Sequence, residues 1–224
     1  MGLTLLAIDS AGAACSAAIW SDGQVRAIRR LATERGHAAH LAPLVAGAFA
    51  DARLDADDLD MVVASVGPGS FTGLRVGLAL AQGVALAAGV PAWGVSSFRV
   101  HAAGMATPLV VALDSRREEL FVAVLGLRDG AGPFMATPAE AAMRLADMAL
   151  PAVIPLAGDA APSLAAALVA LGREARVLHA GPADAAMVAS TAAAALAGGE
   201  RLLPPRPVYL RPPDVTLPGV AVPA

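Results

Sequence analysis

The stretch Gly67-Pro68-Gly69-Ser70-Phe71-Thr72-Gly73-Leu74-Arg75-Val76-Gly77 is the part of this sequence best suited to chemistry. A glycine-rich loop that opens a helix offers unpaired N–H groups and a positive dipole end, an arrangement that holds anions. The spacing is not that of a P-loop, because Leu74 follows Gly73 and no lysine is present to reach a phosphate. Nor is it a dinucleotide fingerprint, since Thr72 stands where the third glycine belongs and Pro68 removes a donor. Two readings stay open: a phosphate cradle, or a tight turn that launches a closely packed helix, which the spacing favours. Small residues at Gly73, Gly77, Ala81 and Ala85 then line one helix face, so another backbone can approach, either internal or a partner's.

The histidines are the other candidates. His37 and His40 stand at i, i+3 and share a helix face, yet nothing nearby beyond Glu34 offers a third ligand. A solvated or partner-facing helix start is the better reading. His101 reads as a helix or core residue. The turn Arg116-Arg117-Glu118-Glu119 reads as a solvated face, with a protein or RNA interface as the alternative. Cys15 is the single cysteine, which excludes an intramolecular disulfide and a cysteine zinc cluster and fits a cytoplasmic setting.

Elements that would position these residues follow from periodicity. Apolar runs predict strands over 3–8, ending at Asp9, and over 16–20 and 25–31, the last two joined by a Ser-Asp-Gly-Gln turn. Leu41, Leu44, Val45 and Ala48 recur at helical spacing within a helix over 37–52. A capped acidic turn at 55–60, a buried strand over 61–66, the glycine loop at 67–75, a helix over 72–88 and a strand over 92–95 come next. Ser96 or Ser97 caps a helix to about Met105. Beyond Thr107-Pro108 the pattern resumes: strands over 109–113 and 120–125, a helix over 138–149 with proline in its first turn, and a strand over 153–157. Helices over 163–171 and 184–196 flank a short strand at 175–178. The expected organisation is an N-terminal lobe at 1–106, a second, smaller α/β lobe at 107–203, and an extended proline-rich tail at 204–224. The halves share one rhythm, which suggests a duplicated α/β fold.

Composition narrows the function. The 224 residues, 57% apolar and 4% aromatic, must build cores from Ala, Val and Leu. All sixteen basic residues are arginine, and the net charge of −3 lacks the basic footprint of an autonomous nucleic-acid binder. The apolar start has no basic n-region and is broken by Asp9, unlike a signal peptide. Residues 76–95 are apolar enough to span a bilayer, but Pro91 would stop the helix, so they read as a buried helix, a turn and a strand.

The glycine loop and its Ala/Leu-rich helix resemble the signature of the TsaB (YeaZ) family. So do Leu6-Ala7-Ile8-Asp9-Ser10 with Ala14 to Ala18, His37-Ala38-Ala39-His40-Leu41-Ala42-Pro43-Leu44, Leu113-Asp114-Ser115-Arg116 with Glu118 and Glu119, and Pro207-Val208-Tyr209-Leu210-Arg211. The resemblance covers nearly the whole chain. It implies an α/β, actin-like (ASKHA) two-lobed fold with an abbreviated second lobe. It further implies a non-catalytic dimerisation or activating subunit of the machinery that places threonylcarbamoyl on N6 of adenosine 37 in tRNA. The partners so implied are a TsaD-type catalytic paralogue and a TsaE-type ATPase, with tRNA reached only through the complex, a homodimer when the chain is alone, and no membrane.

The catalytic paralogue carries a Gly-Val-Asn-His-x-Glu-Gly-His motif; the matching stretch here is Gly94-Val95-Ser96-Ser97-Phe98-Arg99-Val100-His101. Ser97 replaces the first histidine and Arg99 the glutamate, a poor first shell for a cation, so no metal and no catalytic residue are expected. Asp9, with Ser10, occupies the place where kinases of this fold class keep a carboxylate near metal-bound phosphate, but Ala11 breaks their Asp-x-Gly pattern. Asp9 and Ser10 are therefore kept as nucleotide or anion contacts, with no resident cofactor expected and ATP or ADP at the subunit interface left open. The expected partner face comprises His37, His40, Leu41, Leu44, Val45, Thr72, Gly73, Val76, Gly77, Leu80 and Ala81, beside the loop residues Gly67, Pro68, Gly69, Ser70, Phe71 and Arg75. A small ATP-dependent phosphotransferase or a metallopeptidase-like enzyme of the same fold are the competing readings.

Overall fold

The computed structural model describes residues 2–32, 36–127 and 132–211, with only the backbone of His37. Three strands, β1 (Thr4–Asp9), β2 (Ala14–Ser21) and β3 (Gln24–Ala32), form an antiparallel meander. Helix α1 (His37–Ala52) leads through a short 3-10 turn to β4 (Met61–Gly67), which joins β1 in parallel. Helix α2 (Phe71–Ala88) and β5 (Ala92–Ser96), parallel to β4, complete a five-stranded sheet ordered β3-β2-β1-β4-β5. The short α3 (Ser97–His101) crosses to the second half.

The second half repeats that plan. Strands β6 (Leu109–Asp114), β7 (Leu120–Leu125) and β8 (Phe134–Ala136) form the meander. Then come α4 (Pro138–Ala146), β9 (Val153–Ala157), α5 (Ala161–Ala170), β10 (Glu174–His179) and α6 (Ala185–Ala197). The sheet order β10-β9-β6-β7-β8 matches the first when the sheets are aligned on β1 and β6. This is the α/β actin-like fold with its second half shortened: β8 has 3 residues where β3 has 9, and α4 has 9 where α1 has 16.

Side chains alternate across each strand, so each sheet buries both faces. Leu6, Ile8, Ile19 and Val62 pack under α1 and α2, while Leu5, Ala7, Ala18 and Val63 pack against α6. In the second sheet Val110, Val122, Ile154 and Leu156 face α4 and α5, and Leu109, Val111 and Phe121 face Phe98 of α3. Helix α3 thus sits between the sheets, with Val100 on the first and Phe98 on the second, while α6 of the second half lies on the first sheet. Helix α6, which the sequence reading put in the unit 107–203, lies on the first sheet, where Ser16 Oγ accepts a hydrogen bond from Ala185 N at 2.8 Å.

Other differences are local. Helix α3 stops at His101, short of Met105, because Gly104 takes a positive φ of 72° in the turn that follows. Helix α4 ends at Ala146 rather than 149, as Pro151 draws the chain into extended geometry. Strand β8 escapes sequence reading because three residues give no alternation to count. The tail is extended, but it adheres: Leu203 bridges Gly94, Val208 N donates to Val66 O at 2.7 Å, and Gln82 Nε2 donates to Pro205 O at 2.7 Å. Its residues 212–224 lie outside the described residues, as does Glu34. Helix α2 is long and apolar enough to cross a membrane by length and composition; here its inner face lies on the first sheet.

Candidate functional site: the interlobe seam and the glycine loop

The duplicated strands end at the line where the lobes meet, and they bring their polar ends together. Asp9 ends β1, Asp114 ends β6, and Asp159 follows β9. With Ser65, Ser97 and His101 they line a space of about 20 Å³. That holds about one water, whereas ligand pockets run to roughly 300 Å³ or more. Ser65 Oγ, Ser97 Oγ and His101 Nδ1 are buried there with no hydrogen-bond partner among the described residues. Asp159 Oδ1 accepts from Asp114 N at 2.9 Å; burial pushes the Asp159 carboxyl up, against the pull of that N–H. Burial, aided by His179 with its ring 6.3 Å away, drives the His101 imidazole down to about 4, so it is a neutral core residue, as the sequence suggested. Burial and Asp9 push the Cys15 thiol up, which leaves it inert as a nucleophile.

The glycine loop is built against this seam. Gly67 has φ 107°, and a Cβ there would stand 2.8 Å from Val208 O, so only glycine fits between loop and tail. Ser70 N donates to Ala11 O at 2.8 Å, and Ser70 caps α2 by accepting from Gly73 N at 3.2 Å. Ser10 Oγ donates to Gly73 O at 2.8 Å and fills the space that a Cβ on Gly77 would need. Ser10 is therefore spent on packing rather than offered to an anion, and the loop follows the tight-turn reading.

Gly73, Gly77, Ala81, Leu41 and Val45 are buried in the chain's own core. The expectation that they face a partner is corrected: the small-residue stripe exists to let α2 approach β1. The exposed members of the expected face are His40 and Thr72, with Leu44, Val76 and Leu80 half-buried; the side chain of His37 lies outside the described residues. Beside them α1 presents Ala39, Pro43 and Ala46, and α2 presents Ala79, Gly83 and Leu86, the last 85% exposed. Among the described residues no group of three or more His, Cys, Asp or Glu comes together in metal-binding geometry.

A larger cavity, about 550 Å³, opens on the other side of the glycine loop. Its walls are the loop itself, the turn Ser115-Arg116-Arg117, Phe121 of β7 and the tail from Val208 to Arg211. Phe71 and Tyr209 stack at a centroid separation of 5.1 Å, and the Arg75 guanidinium lies 3.8 Å over Phe71 while donating to Tyr209 Oη at 2.9 Å. Arg211 Nη2 reaches Glu119 Oε2 at 2.8 Å. Sequence reasoning did not assemble this cluster. The signal was present: Tyr209 is the sole tyrosine of a chain with few aromatics.

A family described as TsaD, tRNA N6-adenosine threonylcarbamoyltransferase, matches residues 31–197. The chain is 38% identical over 124 residues to the tRNA threonylcarbamoyladenosine biosynthesis protein TsaB of Escherichia coli, covering 53% of each. It is 36% identical over 127 residues to the Haemophilus influenzae protein of that name, covering 53% of this chain and 52% of that one. The chain spans about half the length of the curated relatives it matches. A crystal structure from Pseudomonas aeruginosa, of an uncharacterized protein with similarity to peptidase YeaZ, superposes with a TM-score of 0.72 at 25% identity, over 93% of this chain and all of that one.

Proposed function

The chain belongs to the TsaD family, in its TsaB (YeaZ) group, and from that premise we propose that it is the non-catalytic subunit of a tRNA N6-threonylcarbamoyladenosine transferase. It works by binding a TsaD-type paralogue, in a cytoplasmic complex completed by a TsaE-type ATPase, and pairs with itself when alone. The observation that carries this reading is the seam. A phosphotransferase of this fold needs room for a nucleotide between the lobes, and the space beside Asp9 measures about 20 Å³. The peptidase-like alternative needs a pair of metal-binding histidines on α3, of which only His101 is present: Ser97 stands at the other position and Arg99 in place of the glutamate. An ATP or ADP at the subunit interface would have to lie outside that seam.

The docking face is the outer side of α1 and α2. Ala39, Pro43, Ala46, Ala79, Gly83 and Leu86 form its small and apolar part, with the polar His40, Thr72 and Gln82 exposed beside them, and a tight contact between helices needs such a small-residue surface. Leu86→Arg should cut association with the TsaD-type protein at least tenfold, about 1.4 kcal/mol, in a sizing or calorimetric assay, with the melting temperature of the chain unchanged. Undiminished association would move the interface elsewhere.

A further inference from the structure

We propose that the 550 Å³ cavity beside the glycine loop is a contact site for an unpaired nucleotide of an RNA strand, an inference that rests on the role in tRNA modification proposed above. The charge is the first reason. The chain carries 19 acidic residues against 16 arginines, yet among the described residues the cavity is lined by Arg116, Arg117 and Arg211 and by no carboxylate. Glu119 pairs with Arg211 at 2.8 Å and Asp114 with Arg116 at 3.7 Å, and neither carboxylate is among the residues that line the cavity.

The aromatics are the second reason. Phe71 and Tyr209, among six phenylalanine and tyrosine residues in the whole chain, stand together at this cavity, 44% and 39% exposed. Stacking on exposed rings combined with arginine is how proteins hold unpaired bases without reading their sequence. Arg75, packed over Phe71 and bonded to Tyr209, fixes both rings. The third reason is position. Phe71 is the first residue of α2, so the cavity adjoins the helix along which the catalytic partner is proposed to dock. A free nucleotide would need an enclosed pocket; these rings are open to solvent, as a strand passing over them requires.

The test uses an unmodified tRNA transcript at fixed salt, first with the chain alone and then with the chain bound to its TsaD-type partner. Photo-cross-links should map to 68–72, 115–121 and 208–211. Arg117→Glu and, separately, Phe71→Ala should each lower tRNA affinity of the complex about tenfold, the loss of one charge or stacking contact. Both should leave the chain folded, as circular dichroism reads it, and partner binding unchanged. Cross-links confined to other regions, or undiminished affinity in both variants, overturn the inference. So does AMP binding that Arg117→Glu abolishes while tRNA affinity holds, which would make this a free-nucleotide site. If the two proteins fail to associate, the proposed function fails on its own, and cross-links formed by the chain alone, at tRNA concentrations high enough to occupy a weak site, still decide this point.

Discussion

Gly77 and Gly83 lie on one helix and should answer substitution in opposite ways. A Cβ at Gly77 would run into Ser10 Oγ, while one at Gly83 meets nothing within 4 Å. Gly77→Ala should destabilise the chain by about 1–3 kcal/mol through overpacking and the lost Ser10–Gly73 bond. Gly83→Ala should stabilise it by about 0.5–1 kcal/mol, since glycine in a helix interior costs that much relative to alanine. Urea unfolding of both variants checks the pair. The sequence showed the small-residue stripe but not its direction, because the partner that needs the space, Ser10, is 67 residues away in the chain. His101 makes a second prediction. Unfolded, its imidazole titrates near 6.5; folded, burial holds it at about 4. Between those values the unfolded chain binds a proton that the folded chain does not. Its stabilising contribution is complete above pH 6.5 and lost as pH falls through about 4, on the order of 3 kcal/mol in all. Asp159, raised by burial, runs the other way, its contribution present in acid and lost as pH rises through its folded value. The comparison is therefore the difference between wild type and His101→Gln. The wild-type urea midpoint should fall more from pH 7 to pH 5, and parallel falls would contradict the account.

At the scale of elements, long periods were readable and caps less so: Ser96 precedes α3 without a side-chain cap bond, and that helix stops short of Met105. Helix α1 runs over the expected residues, and α2 opens on Ser70 and closes on Gly89 at φ 69°. Thr137 and Glu140 form a reciprocal capping box on α4, the Thr137 N–H donating to Glu140 Oε2 at 2.9 Å. That bond holds the Glu140 carboxyl below its ordinary range. Thr137→Ala should cost about 1 kcal/mol of stability in urea unfolding, while leaving partner binding intact, because α4 lies on the second lobe. Equal loss of binding would place α4 at the interface. What the sequence concealed were contacts with no local signature. The tail reads as loose proline-rich chain, yet Val208 pairs with Val66 and Tyr209 closes the cavity over Phe71.

The whole molecule is a duplication whose halves no longer do the same work. Gly67 at φ 107° and Gly158 at φ 109° occupy equivalent strand ends, and Asp9 and Asp114 do likewise, so the repeat survives in the backbone at the seam. The rhythm of the sequence revealed that repeat. It did not reveal that α6 returns to the first sheet or that α3 bridges the two sheets, since apolar helices of similar composition fit either lobe. A helix returned to the first sheet, a second that bridges both, and a seam with room for about one water favour a scaffold over an enzyme that opens and closes on a nucleotide. The central claim is that this scaffold is required by a catalytic partner. The most direct measurement is threonylcarbamoyl transfer to adenosine 37 of an unmodified tRNA, with the TsaD-type protein, the TsaE-type ATPase and the threonylcarbamoyl donor present, and with or without this chain. The account predicts modification only when the chain is added, and its loss with Leu86→Arg. Equal modification without the chain, or turnover of ATP by the chain alone, would contradict it.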